Sequence, residues 1–339
     1  MVMWIYAIGA YCIWFIVRLV RNAKHSDSRK RSELIVFLYI PVVLTLAGFL
    51  SKYGWLFDLA SHFRLQYLVV LSIGILLCVI DKKWYALKIL AVAALVNLVM
   101  VGSLYWPRES YISSEYQASP KTATILLMNL NANNEEYGKV IRYIKEMNPD
   151  ILALEEVNDK WLAALAEILK GYSYRRDISR EDCFGIGLYS KIPVDVSSIQ
   201  YYGSIGLPSV LAQMTLGNKL LTVLLTHPLP PGSPEGFRQR NEQLSAIATQ
   251  RLAFRDSMIL IGDLNTTSWA YYFQDFVKKM NLVDTRQGFG LQLSWPVMMP
   301  LLAITIDHIL VSKDFTVLER RTGPDVGSDH RPVYVKLGV

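Results

Sequence analysis

The chain has little cysteine, three residues in 339. Cys12 and Cys78 lie inside apolar runs, where a thiol behaves as a small hydrophobe. Cys183 is the lone cysteine of the C-terminal two thirds, which excludes a disulfide framework there and any zinc site of paired-cysteine spacing. Charge is also sparse, at 19% of residues, and unevenly spread. Residues 1–106 carry 11 Lys/Arg against 4 Asp/Glu, which leaves 24 and 25 of the chain's 35 and 29 to residues 107–339. The basic surplus therefore belongs to the first third. A nucleic-acid footprint over the remainder is disfavoured, since such a footprint lies on the part that binds. One local basic and aromatic cluster stands out: Arg175, Arg176 and Arg180 near Tyr172 and Tyr174. Internal repeats are absent.

A basic stretch ahead of the first apolar run is missing too, which argues against a cleaved signal peptide. What is present is apolar length. Runs at about 3–20, 34–50, 67–80 and 84–106 are candidate membrane spans, the third being short for ~30 Å of hydrocarbon. Arg21, Lys24, Arg29, Lys30 and Arg31 follow the first run, with Arg18 at its end, and Asp81-Lys82-Lys83 separates the last two. The positive-inside bias puts both basic loops in the cytoplasm, and so places the N-terminus and everything after Trp106 outside. Residues 55–66 read either as an amphipathic interfacial helix or as a loop. Residues 107–122 read as a linker.

From residue 123 to the end, strands and helices alternate. Strands are predicted at 123–128, 151–154, 185–189, 200–203, 210–216, 220–225, 258–261, 306–311, 315–319 and 333–337. Helices are predicted at 135–147, 159–169, 234–254 and 269–280. Gly217-Asn218 reads as a hairpin turn. Mixed strands with helices between them predict an α/β sandwich.

Polar residues gather at the ends of these strands. Ile-Gly-Asp-Leu-Asn (261–265) follows one apolar run, and Gly-Ser-Asp-His-Arg-Pro (327–332) precedes another. Carboxylate, amide and imidazole at strand ends suit metal-assisted attack on a phosphorus ester. Carboxylates hold a hard divalent cation or orient water, and imidazole handles a proton or phosphoryl charge. Asp263 and Asn265, two apart on extended backbone, can face one site.

The ordered set Met-Asn-Leu (128–130), Leu-Glu-Glu-Val (154–157), Thr-His-Pro (226–228), Gly-Asp-Leu-Asn (262–265), Ile-Asp-His (306–308) and Ser-Asp-His-Arg-Pro (328–332) resembles the endonuclease/exonuclease/phosphatase superfamily. Within it, Thr-His-Pro-Leu-Pro-Pro (226–231), Arg-Asn-Glu-Gln-Leu (240–244) and Ser-Trp-Pro (294–296) look like a bacterial membrane-anchored branch. That branch usually has three spans rather than four. The resemblance implies N-terminal transmembrane helices followed by an α/β (α+β) four-layer sandwich of the deoxyribonuclease I-like type. It implies Mg²⁺, with Mn²⁺ as a substitute, on Glu156 and Asp329 with help from Asn129. By the same resemblance Asp263 orients or deprotonates the attacking water, and Asn265 bonds the phosphoryl oxygen. His330 acts on the phosphate with Asp307 fixing its ring, and His227 is the candidate general acid. Asn129, Asn134 and Trp295 are expected at the substrate. Strand alternation turns Glu155 and His308 away from the site, and neither is given a role. The expected substrate is a phosphate ester, with a lipid headgroup or other envelope ester favoured over nucleic acid.

Overall fold

The computed structural model describes residues 37–106, 122–217 and 219–338. The expected first span and the linker, apart from Thr122, lie outside the described residues. Two compact units are present, one helical and one built on sheets.

In the helical unit, α1 (Tyr39–Ala47) runs through a 3-10 turn to Leu50, and α2 (Trp55–Ser61) follows at a bend of 115°. Then come α3 (Arg64–Ile80) and α4 (Trp84–Gly102), the latter prolonged by a short turn to Tyr105. Among the described residues, the α4 segment Trp84–Tyr105 is long and apolar enough to cross a membrane. The bent pair adds a second if it counts as one span, and α3 is shorter. Leu38, Leu71, Leu90 and Ala93 pack between the helices, while Val92, Leu95, Leu98 and Val99 of α4 are exposed. A helix apolar on both its packed and its open face is what a membrane, or a larger core, requires. Buried Arg64 donates to the Thr45 carbonyl at 2.8 Å, and Asn97 donates to the Thr45 hydroxyl at 2.8 Å.

The sheet unit runs β1 (Thr122–Asn129), α5 (Tyr137–Met147), β2 (Ile151–Glu155), α6 (Asp159–Leu169), β3 (Tyr174–Ile178) and β4 (Ile186–Ser190). It continues with β5 (Val194–Tyr201), β6 (Pro208–Leu216), β7 (Lys219–Thr226), α7 (Pro234–Thr249) and β8 (Ser257–Asp263). Then follow α8 (Tyr271–Met280), β9 (Leu282–Asp284), β10 (Asp307–Ser312), β11 (Thr316–Thr322) and β12 (Val333–Gly338). One six-stranded sheet has the order β11-β12-β1-β2-β4-β3, the other β5-β6-β7-β8-β10-β9. The parallel pairs β1–β2 and β7–β8 are those joined by a helix, as a crossover requires.

Alternation explains the layering. Ile125, Leu127 and Ala153 from one sheet meet Val223, Ile259 and Ile309 from the other in a common core. Leu126, Met128 and Leu154 turn outward to α5 and α6, and Leu260 and Leu310 turn outward to α7 and α8. The result is a four-layer sandwich, helices–sheet–sheet–helices, as expected. Three details differ. β3 and β9 carry no clear apolar alternation and go unread in the sequence. The strand expected at 200–203 occupies 194–201 instead, its polar residues tolerated because it is an edge strand. Helix α7 stops at Thr249, and a separate 3-10 turn takes up 251–253.

Candidate active site

The site lies where β1, β2 and β8 end and β10 begins, at one edge of the two facing sheets. Inward parity carries Ile259 and Ile261 into the core and leaves Asp263 as the last inward residue of β8. Its Oδ1 accepts the Asn265 amide at 2.9 Å. Its Oδ2 lies 3.6 Å from His227 Nε2 and 3.7 Å from His330 Nε2, so two imidazoles flank one carboxylate oxygen. His330 Nδ1 is bonded to Asp307 at 3.0 Å. The His330 amide is held by Ser328 Oγ, which in turn donates to the Asn129 carbonyl. Five side chains expected at the site are thereby brought together: Asp263, Asn265, His227, Asp307 and His330.

The electrostatics separate the two histidines. Burial opposes charge on His330, but Asp307, by attraction and hydrogen bond, and then Asp263, hold it well above the ordinary imidazole range. Burial likewise opposes the Asp307 charge, yet His330 keeps that carboxyl below its usual value. His227 is pushed down to about 3, first by burial and then by the His330 charge, so it is neutral at pH 7. Burial pushes Asp263 up to about 8 against the pull of His330.

Glu156 and Asp329 form a second carboxylate group, both partly exposed. Glu156 accepts from Asn129 Nδ2 and the Ala132 amide, each at 3.1 Å. Asp329 accepts from Asn131 Nδ2 at 2.8 Å and Trp295 Nε1 at 3.0 Å. Burial raises the Glu156 carboxyl, and the Asp329 charge adds to this. Two acids held only by neutral donors, each with oxygen lone pairs to spare, form a donor set that fits a hard divalent cation. Asp263, Asp307 and His330 also place ligand atoms within 4.8 Å of one another. Because His330 Nδ1 is committed to Asp307, these three are better matched to proton handling.

Two expected contacts are engaged by the protein itself. Asn129 turns its NH₂ to Glu156 and its oxygen to the Asn131 amide, so both ends of its side chain are engaged within the site. Asn134 is buried, donates to the Leu130 carbonyl and accepts the Glu136 amide, so its side chain braces a turn. Trp295 is at the site, its ring 6.3 Å from His330.

Other residues escape the sequence. Glu155, odd-numbered like inward Ile151 and Ala153, is not solvent-facing but buried between the sheets, where its carboxylate accepts the Asp263 amide at 3.0 Å. Burial, with Asp263 and Asp307 beside it, pushes it well above the carboxylate range and favours its neutral form. A Cβ on Gly262 would lie 2.0 Å from the Thr226 carbonyl and 3.0 Å from Glu155, so only glycine permits this approach. The β3–β4 loop brings Phe184 to the His227 ring and Cys183 to Glu156. Burial and Glu156 push the Cys183 thiol up to about 11, which leaves it a poor nucleophile at neutral pH. Asn131, Glu156, Cys183 and Asn265 all have positive φ, half of the eight such non-glycine residues described. Backbone of that kind gathers at functional sites because only dense surrounding contacts sustain it. Of the four, Glu156 and Asn265 are already named by the sequence motifs, whereas Asn131 and Cys183 are not.

The Endonuclease/Exonuclease/phosphatase family matches residues 126–330. The chain belongs to that family, and is accordingly a phosphoesterase or nuclease-type hydrolase. No curated protein matches the chain in sequence. Among solved structures, the humanized TDP2 of D. rerio is similar at 15% identity and TM-score 0.55, covering 65% of this chain and all of the other. The human Nocturnin catalytic domain with bound sulfate is similar at 17% identity and TM-score 0.53, covering 65% and 93%. The 3′ phosphatase NExo from Neisseria, bound to a product DNA hairpin, is similar at 17% identity and TM-score 0.52, covering 63% and 98%. At these identities the likeness is one of fold.

Proposed function

We propose that this protein is a membrane-anchored, Mg²⁺-dependent phosphoesterase that hydrolyses an amphiphilic phosphate ester outside the cytoplasm. The observation that carries the chemistry is Asp263 set between two imidazoles, beside the Glu156–Asp329 pair. A divalent cation held by Glu156 and Asp329 would neutralise phosphoryl charge. Asp263 orients a water and takes its proton as the water oxygen bonds to phosphorus. Asn265 uses one amide hydrogen on the Pro228 carbonyl at 3.0 Å and has a second for a phosphoryl oxygen as its charge grows. The ester P–O bond breaks, and the leaving oxygen takes a proton from His330, which Asp307 keeps cationic. That assignment moves the general-acid role from His227 to His330. Neutral His227 has no surplus proton and serves as a hydrogen-bonding wall.

The substrate class and location rest on other features. Met298 and Leu301 are exposed on the segment that Trp295 ties to Asp329, an apolar rim suited to a hydrocarbon group. The α4 segment is long enough to span a bilayer, and the basic loops favour an outward sheet unit. Anchoring raises the effective concentration of membrane-borne substrate. A nuclease is the second reading, favoured by Arg175 and Arg176 exposed on edge strand β3.

The deciding experiment assays the full-length protein in mixed micelles on phospholipids, sphingomyelin, prenyl phosphates, soluble sugar phosphates and DNA. Each is run with Mg²⁺, with EDTA and with Asp263→Ala. EDTA-sensitive, Asp263-dependent release from an amphiphile, weakened by Met298→Ser/Leu301→Ser on micelles alone, is the expected result. Turnover confined to DNA with steep salt dependence would transfer the reading to a nuclease.

A further inference from the structure

His308 neighbours Asp307 on β10, and opposite parity sends it to the other face of the sheet. It is fully buried there, its ring 4.5 Å from that of Phe273 on α8. Its Nε2 lies 2.9 Å from the Thr266 carbonyl. A carbonyl only accepts, so Nε2 carries a proton and donates it. The other ring nitrogen faces the Asp284 carboxylate at 3.7 Å, within ion-pair range. Thr266 belongs to the turn that leaves β8 through Asp263 and Asn265. That turn is gripped at successive backbone groups: the Leu264 amide by the Ile306 carbonyl, the Asn265 carbonyl by Arg240, and the Thr266 carbonyl by His308. Asn265 sits at φ 51°, a conformation that needs such bracing.

We propose that His308 is a positioning residue for the Asp263–Asn265 turn. Packed against Phe273 and facing Asp284, its ring holds the Thr266 carbonyl and so sets the direction of the Asn265 amide and the Asp263 carboxylate. Adjacent residues of one strand then aim both halves of the chemistry, Asp307 through His330 on the inner face and His308 through Thr266 on the outer. The inference rests on the phosphoesterase reading for its kinetic arm alone.

The test compares His308→Gln, which keeps a donor near the Nε2 position, with His308→Phe, which keeps the ring but has no donor. Full-length protein in detergent is assayed on bis(p-nitrophenyl) phosphate with Mn²⁺, and amide exchange is followed by mass spectrometry. The expected result for His308→Phe is a kcat loss on the order of 100-fold with KM within about twofold, the size a misplaced catalytic group gives. Exchange should quicken in 264–266 and stay slow in 258–262. His308→Gln should restore most of both. Wild-type kcat in the Phe variant, or a Gln variant as impaired as Phe, overturns the proposal. Should the wild type itself not turn over the ester, the phosphoesterase reading suffers and the exchange arm still decides. Unchanged protection at 264–266 in the Phe variant then rejects the role for His308, and selective loss there upholds it.

Discussion

Two aspartate–histidine pairs lie on opposite faces of the same sheet, and they have become different devices. In Asp307–His330 the contact is 3.0 Å and the second ring nitrogen points at Asp263. In Asp284–His308 the separation is 3.7 Å and the second ring nitrogen is spent on a backbone carbonyl. The first pair keeps a proton available at the edge of the sandwich. The second is sealed beneath α8, with Arg286 beside its carboxylate, and burial there is outweighed by His308 and Arg286 in holding Asp284 well below the carboxylate range. In the proposed mechanism, what separates the proton-handling pair from the positioning pair is the partner of the outer nitrogen.

The comparison breaks most sharply at His330. His330→Gln should lower kcat by about 10³-fold, the scale of a lost acid–base group, with the fold intact by circular dichroism. Asp263 comes next. A base acts when deprotonated, so kcat/KM should rise with pH through about 8, and Asp263→Asn should abolish activity. The folded value near 8 stands above the unfolded ~3.9, so the folded chain binds this proton more tightly. That stabilisation is complete below the unfolded value and lost as pH rises toward 8. Asp263→Asn escapes the loss, and its melting temperature should exceed the wild type's by a margin that widens from pH 4 to pH 8. A constant or shrinking margin would show that Asp263 ionises as an ordinary carboxylate. A smaller effect is expected at Asp284→Asn, about tenfold in kcat, because the His308 ring loses its anchor while the Thr266 contact can persist. The smallest is at Asn134→Ala, where kcat should be unchanged and stability should fall by about 1 kcal/mol, as for a lost buried hydrogen bond. Denaturant titration beside steady-state rates would separate these last two.

Much of this is legible in the amino-acid pattern. Near-continuous apolar runs in 123–128, 151–154 and 258–261 mark central strands because both faces of each are buried. The polar residues at their ends follow as the places where the strands leave the core. Asn134 misleads because an asparagine in a loop looks alike whether it meets substrate or braces a turn. Glu155 misleads in a subtler way. Alternation does turn it from Glu156, but whether that direction leads to solvent or into a second sheet depends on what packs opposite.

The sequence by itself determined the order of strands and helices apart from β3 and β9, the layered class of the sheet unit, and the identities of Asp263, Asn265, Asp329 and His330 as a chemical set. These depend on local periodicity and on residue types that single chemistries require. Tertiary structure alone decided that Glu155 lies under Asp263, that Asn131 and Trp295 hold Asp329, and that His308 grips Thr266. Each of these joins residues distant in the chain across a sheet or between sheets, and period and composition carry no information about which strand lies opposite which.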